Sequence, residues 1–269
     1  MSLPKRWPML FALLVGLSAC SPNPAPKPIP SGEATTIKVA AASDLRFALP
    51  EVIARFEKEN PSIKVEPTFG SSGNFVAQIS QGADFDVLLS ADIDYPRELI
   101  KKDLAWEDTL HVYAIGRIVV WVPTESKLNV EGQGLEVVLD PHVHKIAIAN
   151  PRHAPYGRAA KAALKHEGWE QETNEKLVLA ENVAQAAQFV ETAAADVGII
   201  ALSLARAPAL SKKGRFRLIP PETYPPLEQA SVILRATSHR SAAELFQQFL
   251  LHADGKNILR DLGFVLPGE

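Results

Sequence analysis

From residue 37 onward the apolar positions follow two alternating rhythms, short continuous runs and sets spaced like one face of a helix. Residues 37–41 form an apolar run, and beyond Ser43 the positions Leu45, Leu49, Val52, Ile53 and Phe56 recur at helical spacing. Residues 63–69 alternate like a strand and end in Gly70-Ser71-Ser72-Gly73, before Phe75, Val76 and Ile79 resume the helical rhythm. Residues 86–90 read as a buried strand, and the β-branched run 115–122 as a segment able to cross between domains. Further strands are predicted at 145–149, 177–179, 197–201 and 230–234, with helices at 156–167, 184–191, 241–253 and 255–262. Strands alternating with helices of about ten residues or more predict parallel sheets with helices on both faces. The strands are too many for one sheet in a chain of this length, so two α/β lobes are expected. Residues 36–115 and 228–269 would build the first and 116–227 the second, with crossings near 114–119 and 224–229.

Composition narrows the function. The 269 residues carry a net charge of −3, which leaves no broad basic surface for nucleic acid. A single cysteine excludes a disulfide framework and a Cys-rich zinc site. Beyond the N-terminus no stretch approaches the roughly 20 apolar residues that span a bilayer. At the N-terminus, Lys5 and Arg6 precede an apolar run at 9–17 and then Leu17-Ser18-Ala19-Cys20, the marks of a secretory signal. That ending resembles a bacterial lipobox, in which the cysteine is lipidated and becomes the new N-terminus; a plain signal peptide is the alternative. Residues 1–19 are then a signal peptide and 20–35 a lipidated tether, stiffened by five prolines between Ser21 and Pro30. Export is expected, with membrane attachment through the Cys20 lipid only.

Four strand-to-helix junctions share one chemistry: Ala42-Ser43-Asp44, Gly70-Ser71-Ser72-Gly73, Pro155-Tyr156-Gly157 and Glu181-Asn182-Val183. A helix start presents N–H groups without intrahelical partners and a partial positive charge. Such an end is a ready anion site, and in doubly wound sheets these ends gather at the carboxyl edge of the strands. Ser43 and Ser72 add hydroxyl donors, and Gly70 and Gly73 permit close backbone approach. Taken singly, each serine also reads as an ordinary N-cap. Four such junctions, two in each expected lobe, suggest a compact anion held by dipoles without charged side chains.

Other constellations are weaker. The seven histidines show no HExxH, and His142 and His144 beside Pro141 read as a solvated turn. There is no G-x-S-x-G elbow and no GxGxxG. Arg152, His153 and Arg158 flank the third junction and read as a solvated face, or as a positive rim.

The ordered set Ala41-Ala42-Ser43, Phe69-Gly70-Ser71-Ser72-Gly73, Asp86-Val87-Leu88-Leu89-Ser90-Ala91-Asp92, residues 149–157, Glu181-Asn182-Val183 and Gly198-Ile199-Ile200 resembles the periplasmic molybdate-binding proteins of bacterial ABC importers. The resemblance covers residues 37–264. It implies a type II periplasmic-binding-protein fold, two α/β lobes joined by a hinge with a tetrahedral oxyanion in the cleft. It implies that Ser43 and Ser72 give hydroxyl and amide donors and that Tyr156 and Val183 give backbone amides. It further implies a monomer that binds molybdate and tungstate, performs no chemistry, needs no cofactor and delivers its anion to a membrane permease. Two residues depart from the pattern. Many relatives carry a tyrosine where this chain has Ala201, so one donor must come from elsewhere, with the Tyr156 phenol as a candidate. Asp44 stands where some relatives have an apolar or amide residue; its carboxylate would repel a dianion, so only its backbone N–H is expected to face the ligand. The reading from another class is an exported hydrolase of phosphate or sulfate esters with Ser43 or Ser72 as nucleophile. Sulfate, phosphate and chromate are the competing anions for a receptor.

Overall fold

The computed structural model describes Met1 and residues 35–269; the expected signal segment and the Cys20 tether lie outside the described residues. In chain order the strands are β1 (Thr35–Ala42), β2 (Ile63–Gly70), β3 (Val87–Ser90), β4 (His111–Gly116), β5 (Ile118–Pro123), β6 (Ile146–Ala149), β7 (Leu177–Ala180), β8 (Val197–Ala201), β9 (Gly214–Leu218) and β10 (Leu227–Ile233). The longer helices are α1 (Ala48–Glu59), α2 (Ser72–Ser80), α3 (Asp94–Lys101), α4 (Pro155–His166), α5 (Val183–Glu191), α6 (Arg240–Leu251) and α7 (Ala253–Asp261).

Two five-stranded sheets result, one in the order β2-β1-β3-β10-β4 and the other in the order β7-β6-β8-β5-β9. Neither is wholly parallel, contrary to the expectation from alternation. In the first sheet β10 runs antiparallel to β3 and β4, and in the second β5 runs antiparallel to β8 and β9. Both odd strands are ones the chain enters from the other sheet. They are therefore free of the right-handed helical crossover that makes successive neighbours parallel. The apolar run 115–122 is two strands broken at Arg117: β4 ends at Gly116 in one sheet and β5 opens at Ile118 in the other.

Each sheet has its own core. Against the first, α1, α6 and α7 pack together, with Phe56 edge-to-face on Phe246 at 5.2 Å between ring centres. On the opposite face, Phe75, Val76 and Ile79 of α2 join Leu99 of α3 over Leu88 and Val232. In the second lobe Trp121, Ile146, Ile148 and Ile199 are buried against alanine-rich faces, Ala159, Ala160 and Ala163 of α4 and Ala186 and Ala187 of α5. Small side chains let both helices sit close to the sheet, which fixes where their first turns point. Those first turns follow the carboxyl ends of β6 and β7, as Ser43 and α2 follow β1 and β2.

Candidate functional site

The four junctions meet. Ser43, Asp44, Ser71, Ser72, Tyr156, Asn182 and Val183 line one cavity, with Gly70 and Ala91 on its first-lobe wall and Ala154 and Pro155 on its second. Ser43, Asp44, Ser72, Tyr156 and Val183 are each no more than 3% exposed. The cavity measures about 10 Å³, the scale of one small species. Pockets for organic ligands run to roughly 300 Å³ or more. A larger groove of about 710 Å³ lies on the second lobe around Pro123, Asp140 and Val190 and touches none of the predicted residues.

Local structure explains what faces the cavity. At α4, Pro155 occupies the first helical position and has no N–H, while the amides of Gly157 and Arg158 bond to the Ala154 carbonyl. The Tyr156 amide is the donor this turn leaves over. At α5, Asn182 is the N-cap and accepts from the Gln185 amide at 3.0 Å, and the Ala184 amide donates to Ser43 Oγ at 3.3 Å. The Val183 amide is what remains. Both serine oxygens are engaged as acceptors, Ser43 Oγ by Ala184 and Ser72 Oγ by the Ala91 amide at 3.0 Å. A hydroxyl that accepts from an amide keeps its own proton to give. Two hydroxyl donors and several amides thus surround a small void that contains no cationic side chain. That arrangement suits an anion whose lost hydration must be replaced by fixed dipoles.

Gly157 permits this approach at α4, because a Cβ there would lie 2.0 Å from the Ala149 carbonyl oxygen at the end of β6. At Gly70 an added Cβ would meet the Phe75 ring at 2.9 Å.

Asp44 turns its carboxylate away from the serines. Its Oδ2 accepts from the Tyr156 hydroxyl at 3.0 Å and from the Gln229 side-chain amide, while Oδ1 is buried without a partner. Gln229 Oε1 in turn accepts from the Tyr113 hydroxyl at 2.9 Å. Burial pushes the Asp44 carboxyl up to about 6, and the Gln229 and Tyr156 donors only partly oppose it. Burial likewise raises the Tyr156 and Tyr113 phenols, and the Asp44 charge raises them further. The Tyr156 phenol is therefore not a spare donor for the anion: its proton is committed to Asp44, and this corrects the sequence expectation. Sequence reasoning also gave no place to Ser203, two residues past Ala201, whose hydroxyl donates to the Asp44 main-chain carbonyl at 2.8 Å. No local pattern signals a contact between residues so distant along the chain.

Of the flanking basic residues Arg152 is exposed, as expected of a solvated face, whereas His153 and Arg158 make contacts across the cleft. His153 accepts from the Gly73 amide through its carbonyl at 2.9 Å, and its Nδ1 lies 2.8 Å from Ser71 Oγ. Arg158 donates to Tyr95 at 2.8 Å and pairs with Asp92, and its guanidinium lies 5.2 Å from the Tyr95 ring centre. His153 and Arg158 belong to the second lobe and their partners to the first, so this rim fastens the lobes together. His142 is the exposed turn residue the sequence predicted, its side chain 88% accessible.

A two-lobed α/β body with a small cavity of helix-start donors between its lobes is the architecture of a solute-binding protein. The family model for bacterial extracellular solute-binding proteins matches residues 37–265. The chain is 31% identical over 258 residues to the molybdate-binding protein ModA of Azotobacter vinelandii, covering 96% of this chain and 97% of that one. It is 31% identical over 256 residues to ModA of Rhodobacter capsulatus, covering 95% of this chain and 94% of the relative. Its structure superposes on the Azotobacter vinelandii periplasmic molybdate-binding protein with a TM-score of 0.81 at 33% identity, over 86% of this chain and 99% of that one. The chain belongs to the bacterial extracellular solute-binding proteins, in the ModA family.

Proposed function

We propose that this protein is the receptor of an ABC importer, capturing molybdate, and tungstate with it, and handing the anion to the membrane permease. The observation that supports this reading is that Ser43, Ser72, Tyr156 and Val183, drawn from all four strand-to-helix junctions, line one void of about 10 Å³. Neutral donors compensate a dianion and select by size: a smaller tetrahedron leaves contacts stretched, and each stretched or lost bond to a charged group costs about 1.5–3 kcal/mol. Two such losses give roughly a hundredfold discrimination or more. The names of the relatives support molybdate over sulfate. Residues 36–115 with 228–269, and 116–227, act as lobes that close on the anion by a hinge motion. The Lys5-Arg6 n-region and the Leu17-Ser18-Ala19-Cys20 ending support export as a lipoprotein held by the Cys20 lipid.

The ester-hydrolase reading gains nothing here. A nucleophilic serine needs a base on its hydroxyl; Ser43 and Ser72 carry backbone amides instead, and the histidine in the cleft sits on Ser71.

Calorimetric titration with molybdate, tungstate, sulfate and phosphate tests the reading. Molybdate and tungstate should bind at least about a hundredfold more tightly than sulfate. Ser72→Ala should weaken molybdate binding by about 1.5–3 kcal/mol. Equal affinity for sulfate would defeat the ligand assignment, and an unchanged Ser72→Ala would remove that hydroxyl from the site.

A further inference from the structure

We propose that Asp44 sets the charge this cavity accepts: the tetrahedral dianion is captured together with one proton, which the Asp44 carboxyl takes from solvent. The inference rests on the oxyanion reading above and deepens it. Asp44 lines the cavity wall and is 1% exposed, so even with its carboxylate turned from the serines an ionised Asp44 and a dianion would lie together in one low-dielectric interior. Two negative groups in such a space cannot both keep full charge without compensation. The groups packed around the carboxylate offer none. Tyr156 faces it from α4 and Gln229 from β10, with Tyr113 of β4 behind Gln229 and Tyr224 beyond Tyr156. On the other side Ser203, in the turn of helix Leu202–Arg206, holds the Asp44 main-chain carbonyl. Phenols, a side-chain amide, a hydroxyl and the Asp44 and Leu45 backbone N–H groups supply dipoles, and among the described residues no cation faces the carboxyl.

The geometry also says which oxygen takes the proton. Oδ2 already accepts two hydrogen bonds, whereas Oδ1 is buried and unpartnered. Protonation at Oδ1 removes the charge and leaves the Tyr156 and Gln229 bonds to Oδ2 in place. The balance is simple: a carboxylate, one proton from water and the dianion go in, and a neutral carboxyl beside a dianion results. Burial holds this carboxyl at about 6, well above its ordinary value of 3.8. An arriving dianion raises it further, and by linkage the proton strengthens anion binding by the same factor.

Calorimetry with molybdate as the probe, from about pH 5 to about pH 8, tests the linkage on wild type and Asp44→Asn. Wild-type affinity should fall by about tenfold per pH unit above about 6. Binding heats near pH 8 in buffers of different ionisation enthalpy should reveal uptake of about one proton per anion. Asp44→Asn keeps the acceptor for Tyr156 but cannot ionise, so its affinity should be flat with pH and should exceed wild type at the alkaline end. The buffer-heat measurement needs wild type alone and decides the matter even if the variant fails to fold. Tight binding with no proton uptake and no pH dependence overturns the linkage while leaving the oxyanion reading intact. An Asp44→Asn profile as steep as wild type overturns the assignment to Asp44. Absence of molybdate binding at every pH defeats the oxyanion reading itself.

Discussion

At the scale of single residues, a carboxyl that is 1% exposed with one oxygen unpartnered weakens the anion-free fold whenever it is ionised. The sign follows from Asp44 holding its proton more tightly when folded, at about 6, than at its ordinary 3.8. Stability is full below the lower value, falls as pH rises between the two, and carries the whole penalty above the upper one. Two pH units correspond to at most about 3 kcal/mol. Urea unfolding without anion should therefore show wild type losing stability relative to Asp44→Asn as pH rises from about 4 to about 7. Parallel curves would mean that burial of this carboxyl costs nothing.

Among the elements, the start of α4 is the most demanding. Pro155 removes one donor, the Ala154 carbonyl takes two more, and only the Tyr156 amide is left to face the cavity. Its position depends on Gly157, since a Cβ there would stand 2.0 Å from a main-chain oxygen that cannot swing aside. Gly157→Ala should therefore push the first turn off β6, lower stability by about 1–3 kcal/mol and weaken molybdate binding at least about tenfold. Thermal melts and titration measure the two effects. A variant that keeps wild-type affinity would show that the Tyr156 amide is not part of the site. The junction at α5 has no comparable constraint: Asn182 caps it, and Ser43 reaches across the cleft to satisfy its second amide.

In the whole molecule, the lobes are joined by polar bonds rather than by a shared apolar core at the rim. Gly73, Ser71, Tyr95 and Asp92 of the first lobe meet His153 and Arg158 of the second. Directional bonds of this kind hold only at one separation of the lobes. The approach is tight at Gly73, where an added Cβ would lie 2.7 Å from the His153 carbonyl oxygen. Gly73→Val should act as a wedge. Small-angle scattering should show the variant keeping a larger radius of gyration than wild type in saturating molybdate, with the melting temperature without anion little changed. Full compaction of the variant would show that closure does not need this contact.

Much of the architecture was legible because burial imposes periodicity: residues 197–201 are β8 as expected, the helix over 156–167 is α4 displaced by one residue, and that over 184–191 lacks only the first residue of α5. Elements with little apolar content escaped, such as α3, where only Pro96 and Leu99 are buried, and the edge strand β9 with Arg215 and Arg217. Local sequence also determined the four donor-bearing junctions, since caps, prolines and glycines act within one turn. Which polar partners those junctions find was decided by the tertiary structure alone. The bonds from Tyr156, Gln229 and Ser203 to Asp44 link residues far apart in the chain, and no periodicity encodes such a meeting. Strand direction was likewise settled by the two crossings, at Arg117 into β5 and between β9 and β10, because the sheet a strand joins depends on the path of the chain and not on its own pattern of side chains.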